Sequence, residues 1–188
     1  MAVTTTKRNV FARLSILSGN VLQAAGILAA CFSVRATRAA ASPAIAFSEM
    51  VLAWILLYFS AHGISHWMVG RAVGIDFRVY TIGGTGNPAA WPSGIRWIFE
   101  HLPFFGVQTE KGSMEKASPR AKAVMWSAGV TSSAVVPTLS VFLAWRFGIP
   151  GSGWFLLFAL GWAVATLASN WTSRTGDYSK ARRALSGA

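Results

Sequence analysis

The stretch PAIAFSEMVLAWILLYFSAHGISHWMV, residues 43–69, decides the fold. It contains a single acidic residue, Glu49, and near its end two histidines four positions apart, His62 and His66. Wound as a helix it is about 40 Å long at 1.5 Å per residue, enough to cross the ~30 Å hydrocarbon core of a bilayer. Three further runs have the same character, at about residues 14–34, 123–145 and 154–170. The composition agrees, with 53% hydrophobic and 12% charged residues against roughly 25% charged in a soluble domain. So few charges could not cover the surface of a soluble fold. The sequence reads as an all-α polytopic membrane protein of about four transmembrane helices, a single membrane domain over residues 1–188.

The charge is lopsided, 17 Lys and Arg against 6 Asp and Glu, for a net +11. A nucleic-acid binder would gather such charge on one face or arm of a soluble fold. Here the basic residues fall between the apolar runs instead, so no nucleic-acid partner is expected and the lipid bilayer is. With four crossings, all of them but Arg35, Arg38 and Arg146 share one side. The positive-inside rule then puts both termini and the connection at about 71–122 in the cytoplasm. The expected location is a bacterial inner (cytoplasmic) membrane. The first run also has a rival reading as a signal peptide, because Arg38-Ala-Ala-Ala-Ser42 follows it with small residues. Its length exceeds the 7–15 residues of a signal core, which favours a retained helix.

Within the connection, Phe77 to Ile82 mixes β-branched, aromatic and polar residues and predicts a short strand or hairpin arm. The Gly83-Gly84-Thr85-Gly86-Asn87-Pro88 run that follows predicts turns. It is no phosphate cradle, since it lacks the Lys and helix start that such a loop uses. Phe104-Phe105-Gly106 and nearby tryptophans read as a loop against the membrane interface. Small residues at Gly129, Ser132, Ser133, Gly161 and Ala165 predict close helix contacts. Cys31 is the one cysteine, which excludes a disulfide framework or a cysteine zinc site.

His62 and His66 stand at i and i+4, so their imidazoles leave the same helix face one turn apart and can share a metal ion. Ionisable groups inside a membrane are costly and usually face the bundle interior, where they act. Two histidines hydrogen-bonded within a bundle would show the same spacing. So would one axial ligand to a haem or chlorophyll in a pigment or electron-transfer complex. Asp177 follows the fourth run, which has the same direction as the second, and so emerges at the histidines' level. Two histidines and a carboxylate make a three-ligand site with an open position. Asp177 reads equally as a helix N-cap for Tyr178 to Leu185, and Asn170 as a helix-terminal polar group.

From residue 50 to residue 185 the chain resembles the site-2 protease family of intramembrane zinc metalloproteases. The likeness runs through His62-Gly-Ile-Ser-His66, the basic and glycine stretch Gly70-Arg71-Ala-Val-Gly74, and the proposed strand. It continues through Ser118-Pro119-Arg-Ala-Lys122, Ala128-Gly129-Val130, and Asn170 through Asp177. The resemblance implies a zinc held by His62, His66 and Asp177, with the region of Asn170 helping to hold a bound segment.

The resemblance fails in several places: Val130 stands where the family has Pro, no Pro lies between Asn170 and Asp177, no Gly follows Asp177, and one departure bears directly on the chemistry. The family's HExxH glutamate is the general base that activates zinc-bound water, and Gly63 stands there. Losing a positioned acid–base group costs about 10²–10⁴-fold in rate. The expectation is therefore a proteolytically inactive relative that binds a transmembrane segment or another membrane protein in a regulatory, assembly or structural role. The alternatives are an active protease with a displaced base and an accessory subunit with a histidine-ligated cofactor.

Overall fold

The computed structural model describes residues 9–85 and 92–187. Its elements run β1 Val10–Leu14, α1 Ile16–Ala36, a 3₁₀ turn at Thr37–Ala39, α2 Pro43–Ala72, β2 Phe77–Gly83, α3 Ser93–His101, β3 Phe104–Thr109, α4 Lys111–Lys116, α5 Pro119–Arg146, α6 Ser152–Thr172 and α7 Asp177–Ser186. Four of these helices, α1, α2, α5 and α6, are long and apolar enough to cross a membrane. The expected all-α polytopic architecture with a small β element is what the chain adopts.

The helix starts follow from local chemistry. α2 and α5 each begin with Ser-Pro, the serine capping and the proline occupying the first turn, where its missing N–H is no loss. Ser42 Oγ accepts the Ile45 N–H at 3.3 Å, and Ser118 Oγ accepts the Ala121 N–H at 3.2 Å. α5 therefore starts four residues earlier than its apolar run, at Pro119 rather than about 123. Small residues let the helices pack closely. Ala46 and Met50 of α2 meet Val141 and Ala144 of α5 and Ala159 of α6, while Ala53 and Leu57 meet Ala30 of α1. α2 thus sits between α1 and α5, and α5 carries α6 and α7 on its other sides. Between lipid-like surfaces such contacts act through van der Waals packing rather than through a hydrophobic drive. Gly161 and Ala165 do not serve this purpose. Both are exposed on α6, and a Cβ on Gly161 would meet nothing within 4 Å.

The connection between α2 and α5 is more ordered than its composition suggests. The three strands form one antiparallel meander in the order β1-β2-β3. Strand β2 appears where its β-branched and aromatic residues placed it. Phe104-Phe105-Gly106 belongs to β3, not to an interfacial loop, and pairs with Gly83, Ile82 and Thr81. Strand β1, unforeseen in the sequence, pairs Leu14 with Tyr80 and Arg13 with Thr81. Of the glycine run, Gly83 closes β2 and the segment from residue 86 lies outside the described residues.

This sheet does not lie beyond the helix ends. Tyr80 of β2 is fully buried and enters between α1 and α2, its ring against Gly19. Its hydroxyl donates to Asn20 Oδ1 at 2.7 Å and lies 3.3 Å from the Gly63 carbonyl. Burial pushes this phenol up to about 12. Gly63 is about 14 Å back from the end of α2 at 1.5 Å per residue, so the sheet is tucked into the bundle at the depth of the histidines. A Cβ on Gly19 would overlap the Tyr80 ring. Gly19→Ala is therefore expected to destabilise the fold by about 1–3 kcal/mol, read as a lowered thermal midpoint in detergent, while Gly161→Ala leaves the midpoint unchanged.

Candidate metal centre

The histidines of α2 face α5 and the start of α7. His66 is buried, its Nδ1 2.7 Å from the Met125 carbonyl oxygen and its Nε2 3.2 Å from Asp177 Oδ2. His62 is partly exposed to a cleft, its Nδ1 3.0 Å from Ser133 Oγ and its Nε2 3.4 Å from the same Asp177 Oδ2. The two rings stand edge to face with centroids 4.8 Å apart. Three residues separated by up to 115 positions in the chain thus present one ligand atom each, all within 4.8 Å of one another.

The pattern of donors says what belongs between them. A carbonyl oxygen only accepts, so His66 donates its Nδ1–H to Met125, and a neutral imidazole has no second N–H. In the neutral ring Nε2 then turns a lone pair toward a carboxylate that also has only lone pairs. Such an arrangement is satisfied by a cation, either a second proton on the ring, which lets Nε2 donate to Asp177, or a metal ion shared by the three side chains. Zinc-type bonds of ~2.0–2.1 Å imply tetrahedral ligand–ligand edges of about 3.3 Å, close to the two histidine–carboxylate separations of 3.2 and 3.4 Å, with the three atoms all within 4.8 Å of one another. The outer contacts suit metal binding as well, because a partner on Nδ1 fixes the tautomer that leaves Nε2 free.

Asp177 is held from several directions. Burial alone would raise the pKa of its carboxyl, but hydrogen bonds from the His62 and His66 rings, when these carry a proton on Nε2, and the ammonium of Lys180 outweigh burial and keep it well below the usual carboxylate range. Lys180 Nζ donates to Asp177 Oδ1 at 2.8 Å, leaving Oδ2 for the histidines. The same ammonium lies 4.3 Å from the centroid of the Trp126 ring, and Trp126 meets His66 edge to face at 5.8 Å. Asn170 Oδ1 accepts the Asp177 N–H at 3.1 Å, and Asn170 Nδ2 donates to the Thr166 carbonyl at 3.0 Å. Asp177 is accordingly the first residue of α7, whose N-cap Gly176 makes no side-chain bond. Its carboxylate turns to the histidines instead of capping the helix. Asn170 lines the cleft, and both ends of its amide are engaged within the chain.

Two glycines set the space around the centre. Gly129 of α5 packs against the His66 imidazole, and a Cβ there would collide with Nε2. Gly63, between the histidines, is enclosed by α1 and the sheet. A Cβ on it would lie 2.6 Å from Gln23 Oε1, 3.1 Å from Tyr80 Cε1 and 3.3 Å from Phe105 Cβ. The position has no room for a glutamate until Gln23 and its neighbours move. Position 63 thus carries no side chain, and the space beside it is filled by Gln23, Tyr80 and Phe105.

The centre opens into a cleft of about 450 Å³. One wall is aromatic, with Tyr58, Phe59, Phe99, Phe104 and Trp126, and the other is polar, with Thr166, Ser169, Ser173 and Thr175. Among the described residues, Asp177 is the one acid that lines it. Ser133, the Met125 carbonyl and Lys180 were not singled out as site residues from the sequence. Lys180 alone left a usable signal, its i, i+3 spacing from Asp177 on a short helix.

Ser133→Ala is expected to weaken metal binding about 10–100-fold, the usual cost of losing a residue that orients a ligating histidine. Gly129→Ala should weaken it by displacing the His66 ring. Titration of the detergent-solubilised protein with zinc against a competing chelator measures both, and unchanged affinity in the two variants would contradict the assigned geometry. Comparison with protein-family models, curated proteins and solved structures finds no match to this chain.

Proposed function

We propose that this is a proteolytically inactive, site-2-protease-like membrane protein that holds zinc at His62, His66 and Asp177 and binds a transmembrane segment or another membrane protein. The observation that carries the reading is the convergence of two imidazole Nε2 atoms on one carboxylate oxygen, beside a glycine where the hydrolytic base would stand. Zinc suits two nitrogens and one oxygen with a fourth position open. A bound water there would lack the group that takes its proton and delivers it to a leaving amine.

The partner follows from the cleft. β3 is an edge strand, and Phe104 to Val107 line the cleft next to the centre. An extended segment can add to such an edge by main-chain hydrogen bonds. The role is then regulatory, structural or one of assembly, with the segment held and not cut. The protein works in an inner membrane with both termini in the cytoplasm, which the distribution of basic residues supports. No observation favours an active protease with a displaced base, since Glu100, Glu110 and Glu115 do not line the cleft. Nor does any favour a pigment ligand, because both Nε2 atoms already face Asp177.

Metal analysis of the purified protein is expected to find stoichiometric zinc that is lost in His62→Ala, His66→Ala and Asp177→Ala. A zinc-free wild type would sink the metal assignment. A model transmembrane substrate is expected to remain intact with wild type and with Gly63→Glu, because that glutamate has no space. Cleavage by wild type would overturn the assignment of inactivity. Single cysteines placed at each terminus should be labelled by reagents only after the membrane is permeabilised.

A further inference from the structure

We infer that the open face of the metal takes a carboxylate, held jointly by the metal and by Lys180. This rests on the metal reading above and adds to it the chemistry of the group that the bound segment contributes.

The first ground is the balance of charge. Among the described residues lining the cleft, Asp177 and Lys180 are the charged pair, and His62 and His66 are neutral when they ligate a metal. The carboxylate and ammonium cancel, so a divalent ion leaves the site with two uncompensated positive charges. Buried charge of this kind is costly in a membrane protein unless paired. A neutral amide or carbonyl as fourth ligand would leave that excess untouched. An anion reduces it.

The second ground is geometric. Asp177 Oδ2 faces the two histidine nitrogens at 3.4 and 3.2 Å, and Oδ1 receives Lys180 Nζ at 2.8 Å. One carboxylate therefore already bridges the metal position and the ammonium. Lys180 also lines the cleft, and its side chain keeps 34% of its surface exposed. An ammonium has three N–H donors, and a single hydrogen bond, to Asp177, engages this one, with the Trp126 ring against another side at 4.3 Å. A second carboxylate entering from the cleft can repeat the bridge, one oxygen on the metal and the other on Lys180. Trp126 restrains the ammonium for that purpose, and the aromatic wall receives the apolar body of the ligand. The carboxylate has two sources with the same chemistry, the C-terminus of a bound segment or an Asp or Glu side chain along it.

The test uses the full-length protein in detergent, loaded with cobalt(II), whose visible spectrum reports on its ligands. Acetate is expected to change the spectrum saturably, and acetamide, its neutral isostere, is expected to leave it unchanged. Lys180→Met, loaded to the same cobalt content, should bind acetate at least tenfold more weakly, and Lys180→Arg should recover most of that loss. Cobalt bound with a spectrum indifferent to acetate would overturn this inference alone, as would equal acetate affinity in wild type and Lys180→Met. Failure of wild type to bind cobalt would overturn the metal reading and this inference together. Two pairs of apolar peptides then separate the sources, a free against an amidated C-terminus and an internal Glu against Gln. Preference for the free terminus or for Glu supports the inference and names its source, and no preference in either pair overturns it.

Discussion

The carboxylate of Asp177 is the joint on which the site depends. It lies at the start of a short helix after the last membrane crossing, yet it meets two imidazoles of α2 on one oxygen and Lys180 on the other. Leaving a buried charge without its partners costs several kcal/mol, so this contact ties α7 to α2 as well as forming a ligand set. The Asn170 bond to the Asp177 N–H fixes where α7 begins. The angle at which the chain leaves α6 and the position of the ligand are therefore one decision.

A second buried polar group shapes the other side of α2. The Tyr80 hydroxyl reaches Asn20 and the Gly63 carbonyl, which draws the three-stranded sheet into the bundle and closes the space around Gly63. The same packing places β3 along the cleft. One residue without a side chain thus has two consequences. It leaves the helix without a side chain between the histidines, and it admits Tyr80 and Gln23 to the space beside it.

The cleft joins these two halves. Its aromatic side comes from α2, α3, β3 and α5, its polar side from α6 and the turn before α7, and the candidate metal position lies where they meet. Phe99 stacks nearly parallel to Phe104 at 6.1 Å and to Trp162 at 6.3 Å, so α3 closes the cleft by aromatic contact. The lining is largely apolar, and among the described residues its charge is confined to Asp177 and Lys180.

Much of this was legible in the chain. Hydrophobic runs of more than twenty residues determine a membrane-spanning helix by themselves, because in hydrocarbon the backbone must satisfy its hydrogen bonds within the segment. The i, i+4 spacing of His62 and His66 likewise determines that both rings share a helix face. The strand at Phe77 showed in its β-branched and aromatic residues, whereas β1 and β3 did not show, since they exist through pairing with β2 and not through local preference. Whether Asp177 caps a helix or meets the histidines was open in the sequence, both being short-range chemistry of the same side chain. Tertiary structure decided it, by bringing α7 against α5 and α2. It decided the surroundings of position 63 in the same way: the sequence showed a glycine between the histidines, and only packing across three elements showed that the space beside it is occupied.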